Sequence, residues 1–361
     1  MAEDNSSDYD VVESLLAAKI FAEKAQDVHI NQEGIEKLAK EVMQFLRANK
    51  NNFYTVTNRF RRHQTYPDKE DSKVEDWLFV LHTLNFSLWN PKGTKQWTVD
   101  GSKGYCALCI AIKRAIDEGK PMWDPKYYTR ITQSEFEHIF RSDDGETSIP
   151  LLHERLRILH EVGEVLLNKY EGTFVECIKS SEYDANKLVK LLFDEFESYR
   201  DEAVFEGVKV RFHTKARSLV SDIWVYYNEP KLTFKPTFKQ DTKKMMSTML
   251  IDYRTPQLLY HLKVLCYSDV LVSRFEKSNE PLQHGSREEL EIRGCSLFAA
   301  QKVCEKVQRM SRDYIKEMPI LKTRAFNVPI LIDNYLFGCL AYCDEYIMNR
   351  EPFHYIRTVY Y

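Results

Sequence analysis

Apolar residues recur every three or four positions along most of the chain, and this spacing is typical of amphipathic helices. The run 77–89 is almost wholly apolar and aromatic, which predicts burial but fits a helix and a strand equally well. Residues 205–210 place a glycine among β-forming residues, which predicts a short strand or hairpin. Helices are predicted over residues 11–25, 35–50, 104–118, 134–140, 149–170, 183–196, 215–226, 257–267, 288–317 and 330–348.

The composition agrees with a helical fold. The chain has 361 residues, of which 43% are hydrophobic, so it can bury a substantial core. Only 12 glycines and 12 prolines are present, which argues against a sandwich or barrel built on many turns. We find no internal repeat, low-complexity tract or dividing linker. The sequence therefore predicts a mainly α protein: a flexible N-terminal tail over residues 1–14 and a single compact helical domain over 15–361, with at most a few short strands.

Charge and targeting signals limit the partners and the compartment. The formal net charge is −3, whereas a dedicated nucleic-acid binder usually carries a basic excess. The basic cluster over residues 231–244 is predicted to be an exposed loop. We see neither a signal peptide nor an apolar stretch long enough to span a bilayer, so a cytoplasmic protein is expected, with nuclear presence left open. The eight cysteines are then expected to be reduced thiols.

Several motifs that carry chemistry are missing from the sequence. It has no GxGxxG, no GxxxxGK[ST], no GxSxG and no HExxH, so dinucleotide, P-loop, serine-hydrolase and zinc-protease sites are not supported. Cys106 and Cys109 have the CxxC spacing, but no second pair accompanies them, so we expect packing and not metal binding. No cofactor or metal is expected.

The segment TMLIDYRTPQ (248–257) carries the first candidate residue. An apolar run ends there in Asp252, and Pro256, which follows, biases Thr255 away from helical angles. We expect Asp252 to lie among apolar neighbours and not on a solvated face. A carboxylate in that setting can stabilise a developing positive charge or activate a water molecule. The alternative is a structural aspartate that pairs with Arg254 or caps the next helix.

A second acid, Asp333, lies in the apolar run ILIDNYLFG (330–338). A buried charge is costly unless it is paired. The base edge of a guanine-like ligand presents two N–H donors that one carboxylate can accept. An internal salt bridge, for example with Arg293, is the alternative. Glu291 and Arg293, in the block EIRGCSL, are likewise candidates for an ion pair in the core.

A set of sequence blocks, taken together, resembles the queuosine salvage protein family, the queuosine 5′-phosphate N-glycosylases (hydrolases). The resemblance implies a helical domain similar to the helical DNA glycosylases. It also implies one reaction, in which queuosine 5′-phosphate and water give queuine, a 7-deazaguanine base, and ribose 5-phosphate. The implied partner is a nucleotide and not intact tRNA. The blocks are LNFSLW (84–89), SKGYCALCIAIKRAIDEG (102–119), LHERLRILHEVGEVLL (152–167), SYRDEAVFEG (198–207), DYRTPQ (252–257), EIRGCSL (291–297) and FHYIRTVYY (353–361).

The resemblance assigns roles to individual positions. Asp252 matches the catalytic aspartate in its DYR-x-PQ context, with the role of stabilising an oxocarbenium-like ribose and orienting the attacking water. Asp333 matches the base-binding acid, and Asn334 follows it where the family commonly has tyrosine. His63, upstream of the LNFS block, matches a substrate-binding histidine. Lys215 resembles the basic position expected to hold the phosphate.

Two positions depart from the family pattern. Leu250 stands where phenylalanine is common, so stacking on the base becomes apolar contact. Gly338 stands where a further acid is common, about one turn past Asp333, and Asp344 compensates for it only if the helix bends. Two other functions stay open at this point: a glycosylase that acts on a base in tRNA or DNA, and a non-catalytic queuine-binding module. Phe86 and Trp89 are reserve stacking residues, with core packing the expected role for both.

Overall fold

Helices make up most of the computed structural model, which describes residues 17–49, 73–227, 238, 249–277, 280–317 and 327–361. The mainly α class is therefore confirmed. The α-helices are α1 (17–24), α2 (Gln32–Ala48), α3 (Val74–Leu84), α4 (Gly104–Asp117), α5 (Pro125–Tyr128), α6 (Gln133–Ile139), α7 (Leu152–Lys169), α8 (Phe174–Ser180), α9 (Ala185–Glu195), α10 (Thr214–Tyr227), α11 (Thr255–His261), α12 (Asp269–Lys277), α13 (Arg287–Glu317) and α14 (Val328–Arg350).

The strands are short, and in the described residues they form three antiparallel pairs. A 3₁₀ turn covers Glu197–Tyr199. The pair predicted near residues 205–210 is confirmed as a hairpin, whose turn uses Glu206 and Gly207 at positive φ. The pairs are β1 (Val28–Ile30) with β6 (Leu265–Tyr267), β2 (Thr98–Val99) with β3 (Ser102–Lys103), and β4 (Glu202–Phe205) with β5 (Val208–Arg211).

The described chain divides into two compact units, which alternate along the sequence. The first unit takes its described residues from 1–61, 202–212 and 241–357, and the second from 62–201, 213–240 and 358–361. Neither unit is a continuous stretch of chain. The predicted tail over 1–14 and most of the predicted loop over 231–244 lie outside the described residues.

In the first unit, α13 packs against α2, β1 and α14. Helix α2 begins after Asn31, whose side chain accepts a hydrogen bond from the Glu33 N–H. In its first turn, α2 comes so close to another backbone segment that a Cβ on Gly34 would lie 2.0 Å from the Lys263 carbonyl oxygen. Helix α13 makes a similar close approach at Gly294, where a Cβ would lie 2.0 Å from Cγ of Phe21. These two glycines therefore set how closely the elements pack.

In the second unit, α3 is buried along its whole length and packs against α10, α7, α8 and α4. The undecided run 77–89 is thus a helix as far as Leu84, followed by irregular chain. The fully buried Arg155 of α7 stabilises that turn, because its guanidinium donates to the backbone carbonyls of Leu84 and Phe86. It also donates to the Pro150 carbonyl, at 2.8 Å.

The structure corrects two details of the predicted elements. Residues 257–267 are not one helix, since α11 ends at His261 and β6 follows. Residues 265–267 pair with β1, which makes that part a strand. Pro256 does not keep Thr255 out of the helix, because Thr255 begins α11 and Pro256 lies in its first turn, where no backbone N–H is needed. Within the described residues, every helix is too short or too polar to traverse a bilayer.

Candidate active site

Asp252 lies in the irregular segment that leads into α11. Its Oδ1 accepts hydrogen bonds from the backbone N–H groups of Arg254, at 2.9 Å, and Thr255, at 2.8 Å. The Thr255 hydroxyl donates to the same oxygen at 2.8 Å. The carboxylate thus satisfies unpaired donors at the start of a helix. The capping role that the sequence left open as an alternative is present in the structure.

The expectation that Asp252 avoids solvent is wrong. Its side chain is exposed, whereas Ile251 and Tyr253 on either side are buried. Burial thus alternates along residues 251–253, with the exposed Asp252 between two buried side chains. Among the described residues, Oδ2 of Asp252 has no hydrogen-bond partner. One carboxylate oxygen is therefore held by three donors, while the other faces outward with its charge available to a ligand.

Asp333 projects from α14 toward this segment. Its Oδ1 accepts a hydrogen bond from the backbone N–H of Leu250 at 3.1 Å. The structure thus brings together Asp252, Leu250 and Asp333, although 83 positions separate the last two in sequence. Asp333 and Leu250 are both half-buried, which leaves each partly accessible.

The other two predicted residues on α14 lie on another side of the helix. Asn334 and Gly338 are buried and one turn apart, so they share a face. Asp333 precedes Asn334 by one residue and therefore points about 100° away from it. The structure does not describe the side chain of Asp344, so its compensation for Gly338 lies outside the described residues.

Glu291 and Arg293, the predicted core pair, each form an ion pair with another residue of α13. Arg293 donates to Glu289 at 3.2 Å, and both side chains are buried. Glu291 accepts from the Arg287 guanidinium at 2.8 Å and from the backbone N–H groups of Gln26 and Asp27. Each arginine thus pairs with a glutamate one turn away on α13, which is the spacing that faces side chains toward each other on a helix.

Lys215 lies in the second unit, on α10. Its Nζ donates to the Thr83 carbonyl at 3.3 Å and lies over the rings of Phe86, at 4.9 Å, and Tyr199, at 5.1 Å. Burial lowers the pKa of Lys215 to about 7, and the nearby Arg155 adds to the effect. Aromatic faces partly compensate for the lost solvation of this ammonium group.

Three further predicted positions give mixed outcomes. His63 lies outside the described residues. Phe86 and Trp89 are buried, as expected for core packing.

In the described part of the chain, no cluster of three or more His, Cys, Asp and Glu side chains could hold a metal ion.

Sequence reasoning missed two features of the first unit. Thr255 donates to Asp252, and the signal for it was a threonine three residues after an aspartate, a spacing common in caps and turns. His354 is buried with both ring nitrogens lacking a hydrogen-bond partner in the described residues. Burial lowers the pKa of His354 to about 3, helped by the charge of Arg293. No local pattern in the terminal block indicates that environment.

An exposed carboxylate that is held by three donors is a group suited to stabilising charge in a hydrolase. Comparison with known proteins agrees. A family model described as queuosine salvage protein matches residues 65–361. A protein from Bos taurus named queuosine 5′-phosphate N-glycosylase/hydrolase is 35% identical over 350 residues, which cover 96% of this chain and 97% of the bovine one. The chain belongs to the queuosine salvage protein family.

Other relatives carry the same name. The protein from Mus musculus is 34% identical over 354 residues, again covering 96% of this chain and 97% of its own. The bacterial protein from Sphaerobacter thermophilus is 34% identical over 234 residues, which cover 64% of this chain and 68% of the bacterial one. The similarity thus extends from animals to bacteria.

Proposed function

We propose that this chain hydrolyses the N-glycosidic bond of queuosine 5′-phosphate and so releases queuine and ribose 5-phosphate. The observation that carries the proposal is the exposed Asp252 carboxylate, fixed through Oδ1 by three donors in a chain whose relatives are named for this reaction. A carboxylate held in advance needs little reorganisation when charge develops on a substrate.

The proposed chemistry begins with cleavage of the bond between C1′ of the ribose and the nitrogen of the base. The electron pair leaves with the base, and positive charge develops on the sugar. The Oδ2 atom of Asp252 stabilises that charge and orients a water molecule, whose oxygen adds to C1′. One proton of the water goes to the base nitrogen, so the products together equal substrate plus water. A 7-deazapurine lacks N7, so the leaving base cannot be protonated there. More of the reduction in the activation barrier must therefore come from stabilising the positive charge on the sugar.

The remaining predicted residues receive binding roles. We propose that Asp333 accepts N–H groups from the guanine-like edge of the base and that Leu250 contacts its face. Asn334 and Gly338 belong to the base-binding helix, while His63 is proposed to contact the substrate elsewhere. Lys215 is proposed to hold the phosphate, a role that an ammonium group of lowered pKa performs best below about pH 7.

The proposed partner is a free nucleotide and not a nucleic acid. A net charge of −3 supplies no general attraction for a polyanion, so stable binding of tRNA is not expected. The cytoplasm is the proposed compartment. The described cysteines, including Cys106 and Cys109, are free thiols, as a reducing environment would leave them.

The test is direct. Purified protein is incubated with queuosine 5′-phosphate in ¹⁸O-labelled water, and the products are identified by mass. The proposal predicts free queuine without label and ribose 5-phosphate with one ¹⁸O atom. Queuine binding without release would indicate a binding module. Release from queuosine-containing tRNA in preference to the nucleotide would indicate a polymer-directed glycosylase.

A further inference from the structure

The segment that carries Asp252 is attached to α14 at both of its ends. At the start, the Leu250 N–H donates to Oδ1 of Asp333 at 3.1 Å. After the segment, the Gln257 side chain of α11 donates to the backbone carbonyls of Ile347, at 3.3 Å, and Glu351, at 3.0 Å, near the C-terminal end of α14. We call residues 249–254 the Asp252 loop. Its position is therefore set by helix α14.

Within the loop, the position of Leu250 and the orientation of the carboxylate are connected. The Thr255 hydroxyl, which donates to Oδ1 of Asp252 at 2.8 Å, also lies 3.4 Å from the carbonyl oxygen of Leu250. A displacement of the Leu250 backbone therefore reaches the hydroxyl that holds Asp252. Asp333, which accepts from the Leu250 N–H, is a contact from outside the loop that opposes such a displacement.

We propose that Asp333 is a positioning residue for Asp252 in addition to its role with the base. The inference rests on the proposed function, because it deepens the role of one residue of that site. An ionised carboxylate has about four acceptor positions, so one carboxylate can accept from several N–H donors at once. The same side chain thus contacts both the base site and the loop that carries the catalytic carboxylate. Base binding and the placement of Asp252 are coupled through Asp333.

Two substitutions separate the two roles of Asp333. Asp333→Asn keeps a carbonyl oxygen for the Leu250 N–H but loses the negative charge offered to the base. Asp333→Ala loses both. We expect Asp333→Asn to raise KM with kcat close to wild type. Asp333→Ala should raise KM and also lower kcat roughly 10- to 100-fold below that of Asp333→Asn, as expected for a misplaced reacting group.

The second readout needs no substrate. Hydrogen exchange of the Leu250 amide is measured in the free protein, by mass spectrometry with fragmentation that isolates this residue. Exchange in Asp333→Ala should be faster by roughly tenfold or more, because the amide loses its acceptor, whereas Asp333→Asn stays near the wild-type rate. If Asp333→Ala does not fold, Asp333→Ser, which is too short to keep the contact, replaces it.

Asn327→Ala is the matched control. Asn327 caps α14 by accepting from the Ile330 N–H at 3.3 Å, so its loss weakens the same helix without touching the loop. The control should lower the melting temperature and leave Leu250 exchange unchanged. The inference would be overturned by equal kcat values in Asp333→Asn and Asp333→Ala. Unchanged Leu250 exchange in Asp333→Ala would also overturn it. In either case, queuine release by the wild type would still support the proposed function. Failure of the wild type to release queuine would instead refute the function, and the exchange result would stand by itself.

Discussion

Replacing Lys215 with methionine should remove a pH dependence of folding stability that the wild-type protein shows. Burial lowers the pKa of Lys215 in the folded protein to about 7, from an ordinary value of 10.5. At pH values between these two pKa values, Lys215 is protonated in the unfolded chain and neutral in the folded protein. The free energy of unfolding therefore rises with pH across this window, and the destabilisation is fully present below the folded pKa.

The size of the effect follows from the two pKa values. At about pH 7 the folded lysine is half protonated, and at about pH 8.5 it is almost neutral, while the unfolded lysine stays charged throughout. Integrating the difference in bound protons gives roughly 1–2 kcal/mol of added stability over that interval. Methionine has a similar length and no charge, so the variant should be stable at both pH values, as a well-packed apolar replacement of a buried charge often is.

The assay is urea unfolding of both proteins at the two pH values. The difference between wild type and Lys215→Met isolates this residue from other groups that titrate in the same interval. Lys126→Met, at an exposed position, serves as the matched control and should leave the pH dependence unchanged. The reasoning would be refuted if Lys215→Met kept the wild-type pH dependence, since the ammonium group would then not be desolvated in the folded protein.

Three further substitutions test the packing and the site. Gly294→Ala should lower the free energy of unfolding by about 1–3 kcal/mol, measured by urea unfolding, because its Cβ would overlap the ring of Phe21; no loss would mean that the ring moves freely. Arg155→Lys should lower the free energy of unfolding by about 2–5 kcal/mol, because an ammonium group cannot reach the three carbonyls that the guanidinium group contacts. A loss below about 1 kcal/mol would contradict this. Thr255→Val should lower kcat about 3- to 10-fold, because the hydroxyl orients Asp252, and Thr255→Ser should restore it. Equal rates in the wild type and both variants would exclude that role.

Local patterns predicted the helices well and the tertiary contacts poorly. Periodic segments such as α7 and α13 lie close to their predicted ranges, because burial of one face dictates the spacing of their apolar residues. β6 was not foreseen, since its partner β1 is far away in sequence. For the same reason the sequence does not predict the hydrogen bond between Leu250 and Asp333, although it makes each residue a candidate.

The error over Asp252 has a physical origin. Apolar neighbours in the sequence predict a buried carboxylate, but in the structure Ile251 and Tyr253 are buried and Asp252 between them is exposed. Asp252 then caps α11 with one oxygen and presents the other outward. The structural role of Oδ1 is compatible with the catalytic role proposed for Oδ2.

The central claim is that the Asp252 carboxylate drives hydrolysis, and comparison of the wild type with Asp252→Asn tests it most directly. The amide keeps an oxygen for the Thr255 and Arg254 donors, so the variant should fold with a loss of about 1 kcal/mol or less. Queuine release from queuosine 5′-phosphate is followed by mass under single-turnover conditions. The account predicts release by the wild type and a rate at least about 10³-fold lower for the variant. A folded variant that releases queuine at the wild-type rate would contradict it.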